Sequence, residues 1–132
     1  MIRPFRAADL EETRTLLGAE GWAHRIVDHD RFSAMLSGAT RVLVAPESER
    51  VIAFGRAVTG GVSNGYLSMV VVHADFRRRG IGRRIVEALT GDDPDVTWVL
   101  RVGEDREGAR AFWESLGFLA STSAMERLRR SR

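Results

Sequence analysis

The chain has 132 residues and a formal net charge of +2, with 44% of its residues hydrophobic and 29% charged. This length and balance predict one domain, residues 1–132, with a core and a charged surface. The chain has no cysteine, and all 20 basic residues are arginine. Disulfides, thiolate chemistry and lysine Schiff bases are therefore excluded. The high isoelectric point follows from arginines that stay charged to very high pH.

The chain lacks the sequence signals of membrane insertion and export. No apolar segment approaches the ~20 residues that span a bilayer, and residues 1–12 lack the apolar core of a signal peptide. We expect a cytoplasmic protein without a membrane partner.

The N-terminal half predicts a strand, two helices and a β-hairpin. Residues 2–6 read as the strand, and helices follow at residues 9–17 and 28–36, the second with Asp28 as its N-cap and Gly38 at its end. The apolar period then changes to that of strands. The hairpin comprises residues 41–45 and 50–58, joined by a polar turn.

The C-terminal half predicts a parallel strand–helix–strand unit. A strand at residues 66–72, apolar enough to be buried on both faces, precedes a helix at 81–89 and a strand at 96–102. A helix at residues 105–116, ended by Gly117, and closing strands within residues 118–128 follow. Together the elements predict an α/β (α+β) fold with a mixed sheet and helices on both faces.

A glycine loop joins the strand at 66–72 to the next helix, with the sequence Arg77-Arg78-Arg79-Gly80-Ile81-Gly82. The N-terminus of a helix presents free N–H groups, and glycines allow a close approach of the backbone, so the loop predicts an anion site. It has no lysine for a Walker loop, and Ile85 stands where a dinucleotide fingerprint has its third glycine. The alternative is a solvated basic turn with a glycine that starts a helix.

Two segments at a fitting separation resemble the GNAT superfamily of N-acyltransferases. The first is "VVVHADFRRRGIGRRIVEAL", with Arg77, Gly80 and Gly82 at the family's motif positions, and the second is "ARAFWESLGF", residues 109–118. The resemblance implies a mixed, mostly antiparallel sheet of six to seven strands with a central parallel pair that splays apart. It also implies acetyl-CoA as the cofactor, bound in the gap between those two strands.

The resemblance assigns the cofactor site residue by residue. Backbone groups of Val70 and Val72 are expected to bind the pantetheine arm and the acyl carbonyl, and N–H groups from Arg78 to Arg83 are expected to hold the pyrophosphate. The other interpretation of the valines is core packing. The two are compatible, because the side chains would pack in the core while the backbone binds the cofactor. The complete expected set is Val70, Val71, Val72, Arg77, Arg78, Arg79, Gly80, Ile81, Gly82, Arg83 and Phe112.

The chain departs from the family where catalysis is expected. Trp113 stands in place of the tyrosine taken as the general acid, and Arg106 in place of an asparagine. An indole N–H donates a hydrogen bond but does not deliver a proton. Tyr66, the single tyrosine, is the remaining catalytic candidate, to orient a water or the amine. The alternative for Tyr66 is an aromatic side chain at the end of a strand.

The acceptor is expected near the loop between the first two helices, residues 18–30. Trp22 is a candidate wall of its pocket, and His24 or Glu20 a candidate contact for an amine. The ligand-type residues His24, Asp28, His29 and Asp30 fit no metal signature, so no metal is predicted.

Three functions remain open at this stage. The first is an N-acetyltransferase that moves an acetyl group from acetyl-CoA to a primary amine of a small molecule or protein. The second is a catalytically silent acyl-CoA-binding module, motivated by Trp113. The third, a nucleic-acid-binding domain, is disfavoured because the loop's arginines lack interleaved aromatic residues. Pairing of two copies through residues 118–125 is a further hypothesis.

Overall fold

The computed structural model describes residues 1–102 and 108–130, which contain one five-stranded sheet. Its strands follow one another in chain order, and each pairs with the next. The first three pairings are antiparallel and the last is parallel. The strands are β1 (Arg3–Pro4), β2 (Arg41–Glu47), β3 (Arg50–Thr59), β4 (Asn64–Val72) and β5 (Thr97–Val99).

The described helices lie close to where the apolar periodicity predicts them, and they are α1 (Leu10–Ala19), α2 (His29–Ser37), α3 (Ile81–Thr90) and α4 (Ala109–Ser115). Asp28 caps α2 as predicted, because its side chain accepts a hydrogen bond from the Arg31 amide at 3.1 Å. Gly38 is the C-cap of α2, and Gly117, just past α4, has a φ of 91°. Both helix ends therefore use the predicted residues.

Helices cover both faces of the sheet, as expected. On β3, Phe54 is fully buried in one core with Leu16 and Leu17 of α1. The next residue, Gly55, faces α3, since a Cβ built there would lie 2.7 Å from Ile85 and 2.8 Å from Leu89. Successive residues of a strand point to opposite faces, so α1 and α3 lie on opposite sides. Gly55 is required where α3 packs against the sheet.

Three predictions about the sheet are wrong. The described sheet has five strands rather than six or seven, and the described part of residues 118–128 forms no strand. The apolar residues of this stretch suggested strands, yet Leu119, Met125 and Leu128 are all exposed. The strand at residues 66–72 is not buried on both faces, because alternate residues of β4 are only half-buried.

Two compact units divide the chain, Met1–Arg101 and Val102–Arg132. The first contains the sheet and α1 to α3, and the second contains α4. The predicted single domain stays a prediction. The predicted helix start at residue 105 and Arg106, which stands in place of the family's asparagine, lie outside the described residues. Among the described helices, none is long and apolar enough to cross a membrane.

A bidentate ion pair joins the start of the chain to the entrance of α1. The Arg3 guanidinium donates to both carboxylate oxygens of Asp9, at 2.7 and 2.9 Å, and the Arg6 amide donates to the same carboxylate at 2.8 Å. The hydrogen bonds from Arg3 are the main reason that the pKa of Asp9 is lowered from its ordinary value. The ionised carboxylate is therefore favoured in the folded chain.

We expect Asp9→Asn to lower Tm by a few degrees at pH 7, because the amide cannot accept both guanidinium bonds. A carboxyl whose folded pKa is lowered contributes stability above its unfolded pKa, about 3.9, and loses it as the pH falls through the folded pKa. The Tm difference between wild type and variant should therefore shrink below about pH 4. Thermal unfolding followed by circular dichroism from pH 3 to 8 checks this, and a difference that does not change with pH would contradict it.

Candidate functional site

The parallel strands β4 and β5 are paired over three residues, which is the whole length of β5. Asn64, Gly65 and Tyr66 lie opposite Thr97, Trp98 and Val99. Within the described chain, the ladder between the two strands ends there, while β4 continues to Val72. Residues 67–72 therefore have an edge on the β5 side that β5 does not cover. The parallel pair lies at an edge of the described sheet rather than at its centre, contrary to the expectation, and the splay of the two strands stays a prediction.

A β-bulge interrupts β4 beside this open edge. Val71 lies opposite Phe54 and Ser68 opposite Arg56, so two residues of β4 face the single residue Gly55 of β3. Met69 is in the bulge and has a φ of 57°, a conformation uncommon for a residue with a side chain. Such bulges re-aim the backbone and often lie beside functional sites.

The glycine loop ends in an uncapped helix N-terminus. Arg78 and Gly80 have φ values of 66° and 77°, and α3 begins at the next residue, Ile81. Gly80 is the N-cap and has no side chain with which to cap the first amides of α3. Those amides have no acceptor within the helix. The loop and the helix start therefore form a set of N–H donors, a cradle at residues 78–83, that suits an anion.

The side chains around this cradle are divided by role. Arg78, Arg79 and Arg83 are exposed at the loop and the first turn of α3, where they add positive charge. The Arg79 guanidinium lies over the Phe76 ring, 5.1 Å from its centroid. Ile81 and Gly82, at the start of α3, are buried. Val71 is buried in the core, and Val70 approaches Gly55 on the α3 side.

Arg77 anchors the loop to the end of α1. Its Nε donates to the Val72 carbonyl at 3.1 Å, and its guanidinium also binds the Glu20 carboxylate. The second oxygen of Glu20 accepts a hydrogen bond from the Ala74 amide at 3.4 Å. The Glu20 and Arg77 side chains are only 12% and 34% exposed. Glu20 was a candidate contact for the acceptor amine, but its carboxylate instead positions this loop.

The polar residues Tyr66, Ser68 and Arg56 share one face of the sheet. Ser68 is opposite Arg56, and Tyr66 is opposite Val58, two residues farther along β3. This is the face of Phe54 and therefore of α1. Tyr66 is half-buried there. Burial lowers the pKa of Arg56, and Tyr66 raises that pKa by less.

The other acceptor candidates lie beyond α1. Trp22 is partly buried against the core, and its ring stacks on the His24 ring at 6.4 Å between centroids. His24 itself is exposed. Among the residues that the structure describes, no group of three histidine or acidic side chains is arranged to hold a metal ion.

The second unit contains the other cofactor candidate. Phe112 is half-buried on α4, and its ring meets the Trp113 ring edge-on at 5.0 Å between centroids. Trp113 in turn meets Phe118 at 5.2 Å. The three rings form an aromatic cluster within this unit, so packing accounts for Trp113 there.

Sequence and structure comparisons agree with this architecture. A sequence model of the acetyltransferase (GNAT) family matches residues 6–118. The chain belongs to this family. A GNAT-family acetyltransferase from Streptococcus pneumoniae has a similar structure, with a TM-score of 0.79, 22% identity, and coverage of 99% of this chain and 98% of that one. At that identity the likeness concerns the fold.

Two sequence relatives are named PanD regulatory factor. The protein from Salmonella typhimurium is 36% identical over 90 residues, which are 66% of this chain and 70% of the relative. The Escherichia coli protein is 33% identical with the same coverage. The names of these two relatives describe regulation, whereas the Streptococcus structure is named an acetyltransferase.

The structure gives Glu20 a contact that was not predicted and adds Arg56 to the candidate residues. The contact of Glu20 with the loop depends on a 57-residue separation that the sequence does not reveal. Arg56 is visible in the sequence as an arginine within the otherwise apolar strand "VIAFGRAV". A charge at a half-buried strand position is a signal of function that sequence reasoning passed over.

We expect Glu20→Gln to lower the free energy of unfolding by about 1–3 kcal/mol, the range for hydrogen bonds that involve a charged group. The reason is that Arg77 and the Ala74 amide lose their shared carboxylate. Urea unfolding measures the effect. Glu11→Gln is the matched control, because Glu11 is on the same helix with its side chain 77% exposed. Equal effects of the two variants would contradict the anchoring role.

Proposed function

We propose that the chain binds acetyl-CoA with its pyrophosphate at the N-terminus of α3 and its pantetheine arm along β4. The observation that carries the proposal is the backbone at Arg78 and Gly80, both left-handed, immediately before an uncapped helix. Backbone N–H groups in that arrangement and the positive end of the helix dipole favour a phosphate. The exposed arginines beside them supply further charge.

The open edge of β4 supports the placement of the arm. Peptide groups along a strand edge need hydrogen-bond partners, and β5 ceases to supply them after Tyr66. The pantetheine arm contains two amides and suits such an edge as an added strand does. Val70 and Val72 lie in this stretch, so their backbone groups are the proposed contacts.

We propose that the bound acetyl group is transferred directly to a primary amine. The amine nitrogen attacks the thioester carbonyl carbon, the C–N bond forms, and the C–S bond breaks with departure of the thiolate. The amine proton passes to solvent. With a thiol pKa near ~8.5, the thiolate leaves at neutral pH without a strong acid, so tryptophan at position 113 is compatible with turnover. Tyr66 is the proposed residue that orients the amine.

A paired substitution tests the phosphate site. Gly80→Asn and Gly80→Asp have the same shape, and both residue types tolerate a left-handed backbone. We expect both variants to fold, and Gly80→Asp to bind acetyl-CoA at least about tenfold more weakly than Gly80→Asn, because its carboxylate repels the pyrophosphate. Isothermal titration calorimetry gives the two affinities.

Equal affinities in folded variants would overturn the phosphate assignment. This pair is better suited than a glutamate at position 82, because Gly82 is buried and a large side chain there would disturb the packing of α3.

Regulation of a PanD protein is the second candidate function. It is favoured by the names of the two relatives and by the absence of an acidic residue from β4, whose residues are NGYLSMVVV. In this case the acyl-CoA would be a bound signal rather than a substrate, and the face of the protein around it would contact PanD.

One experiment with two measurements separates the candidates. Thiol release from acetyl-CoA is followed across a panel of primary amines, and binding to the host's PanD protein is measured by calorimetry with and without acetyl-CoA. We expect thiol release at least about tenfold above the amine-free rate for one amine class. Gly80→Asp should lose this activity. No release, together with PanD binding that requires acetyl-CoA, would overturn transfer in favour of regulation.

A further inference from the structure

Arg56 is a half-buried cation without a partner in the described chain. It lies in the middle of β3, paired with Val42 on one side and Ser68 on the other. Its Nε atom is inaccessible to solvent and has no hydrogen-bond acceptor. Burial lowers the pKa of Arg56 from its ordinary value, which reflects the cost of a desolvated charge.

Three other partly buried arginines of the described chain have partners. Arg14, whose Nε also has no acceptor, donates from its guanidinium to the Ile26 carbonyl at 3.3 Å. Arg3 and Arg77 both have carboxylate partners, at Asp9 and Glu20. Arg56 lies opposite Ser68 and near Tyr66, and no acidic residue influences its pKa. A desolvated donor left unsatisfied costs stability, and such groups are concentrated where a ligand completes them.

Arg56 is beside the proposed path of the acyl group. Ser68, the residue opposite Arg56 on β4, is two residues past Tyr66, where pairing with β5 ends. Ser68 is also next to Met69 at the bulge. The side chain is on the α1 face of the sheet, opposite the face on which α3 packs. An acceptor that enters from the α1 side would meet Arg56, Ser68 and Tyr66 together.

We propose that Arg56 binds a carboxylate of the acceptor, so that the acceptor is a small amine that also carries a carboxylate, as amino acids do. This inference rests on the proposed acetyl transfer and specifies its substrate class. A guanidinium matches a carboxylate with two parallel hydrogen bonds, and the Ser68 hydroxyl is a further donor. A single cation balances a single carboxylate, whereas a phosphate dianion calls for more charge than this face provides.

Matched acceptors and matched variants test the inference by activity. Alanine and alaninamide, and 4-aminobutanoate and butylamine, differ mainly in the carboxylate. We expect the wild type to prefer the carboxylate member of a pair, and Arg56→Met to lower kcat/KM for that member by about 10–100-fold with little effect on the uncharged member. Arg31→Met, which removes an exposed arginine of α2, should retain the preference.

A binding measurement decides the inference even if no amine is acetylated. The arginine Nε–H resonances of the ¹⁵N-labelled protein are followed as acetate, 4-aminobutanoate or butylamine is added, and the Arg56 signal is assigned by its loss in Arg56→Lys. We expect the two carboxylates to shift the Arg56 signal in a saturable manner, and butylamine to leave it unchanged. An Arg56 signal that carboxylates do not shift would overturn the inference, whatever the activity assays show.

Stability supplies an independent measurement on the same variants. If Arg56 is held for a ligand rather than for the fold, Arg56→Met should unfold at the same or a higher temperature than wild type, because an unpaired desolvated charge is replaced by an apolar side chain. Saturating 4-aminobutanoate should raise the Tm of the wild type but not of this variant. A large loss of Tm in Arg56→Met would show a structural role and contradict the proposal.

Discussion

The need of backbone amides and carbonyls for hydrogen-bond partners governs the candidate site. Over most of the sheet that need is met by neighbouring strands, with β3 paired on both sides along much of its length. Beside the glycine loop, two stretches depart from this: β4 beyond Tyr66, where β5 no longer pairs with it, and the first turn of α3 after Gly80. Both belong to one continuous stretch of chain. A ligand with amides at one end and phosphates at the other meets both needs together.

Arginine is the sole basic residue type that the chain uses, and the structure assigns its arginines different tasks. Arg77 donates to the Glu20 carboxylate and thereby connects the glycine loop to the end of α1. Arg78 and Arg79 remain exposed beside the cradle. Arg56 is half-buried and unpaired on the other face of the sheet. The burial of each arginine and the presence of a carboxylate partner therefore distinguish one that anchors the loop from one that is suited to bind a ligand.

Much of the first unit could be predicted from the sequence because its signals are local. The helix at 81–89 has a strong apolar face, and the loop before it carries glycine where the backbone turns left-handed. The hairpin of β2 and β3 is marked by polar residues between two apolar runs. The bulge at Met69 could not be predicted, because it arises from pairing with β3 and leaves no mark in an apolar strand. The contact of Glu20 with Arg77 likewise depends on tertiary structure.

The C-terminal residues show where the prediction from sequence fails. Apolar residues within 118–128 suggest a strand, yet a strand also needs a partner edge, about which a single segment carries no information. Acid–base chemistry was equally hard to derive, because Trp113 removes the expected acid and packing with Phe112 and Phe118 accounts for its place in the second unit.

Gly55 has a consequence for how the cradle would meet a ligand. Because this residue has no side chain, α3 lies directly on β3, with Ile85 and Leu89 filling the space that a Cβ would occupy. The helix start, and with it the row of amides after Gly80, is thereby held in position by the core. A ligand that binds to a donor set already in place loses less free energy to ordering the protein. The absence of a side chain at Gly55 thus favours a donor set that is in place before a ligand binds.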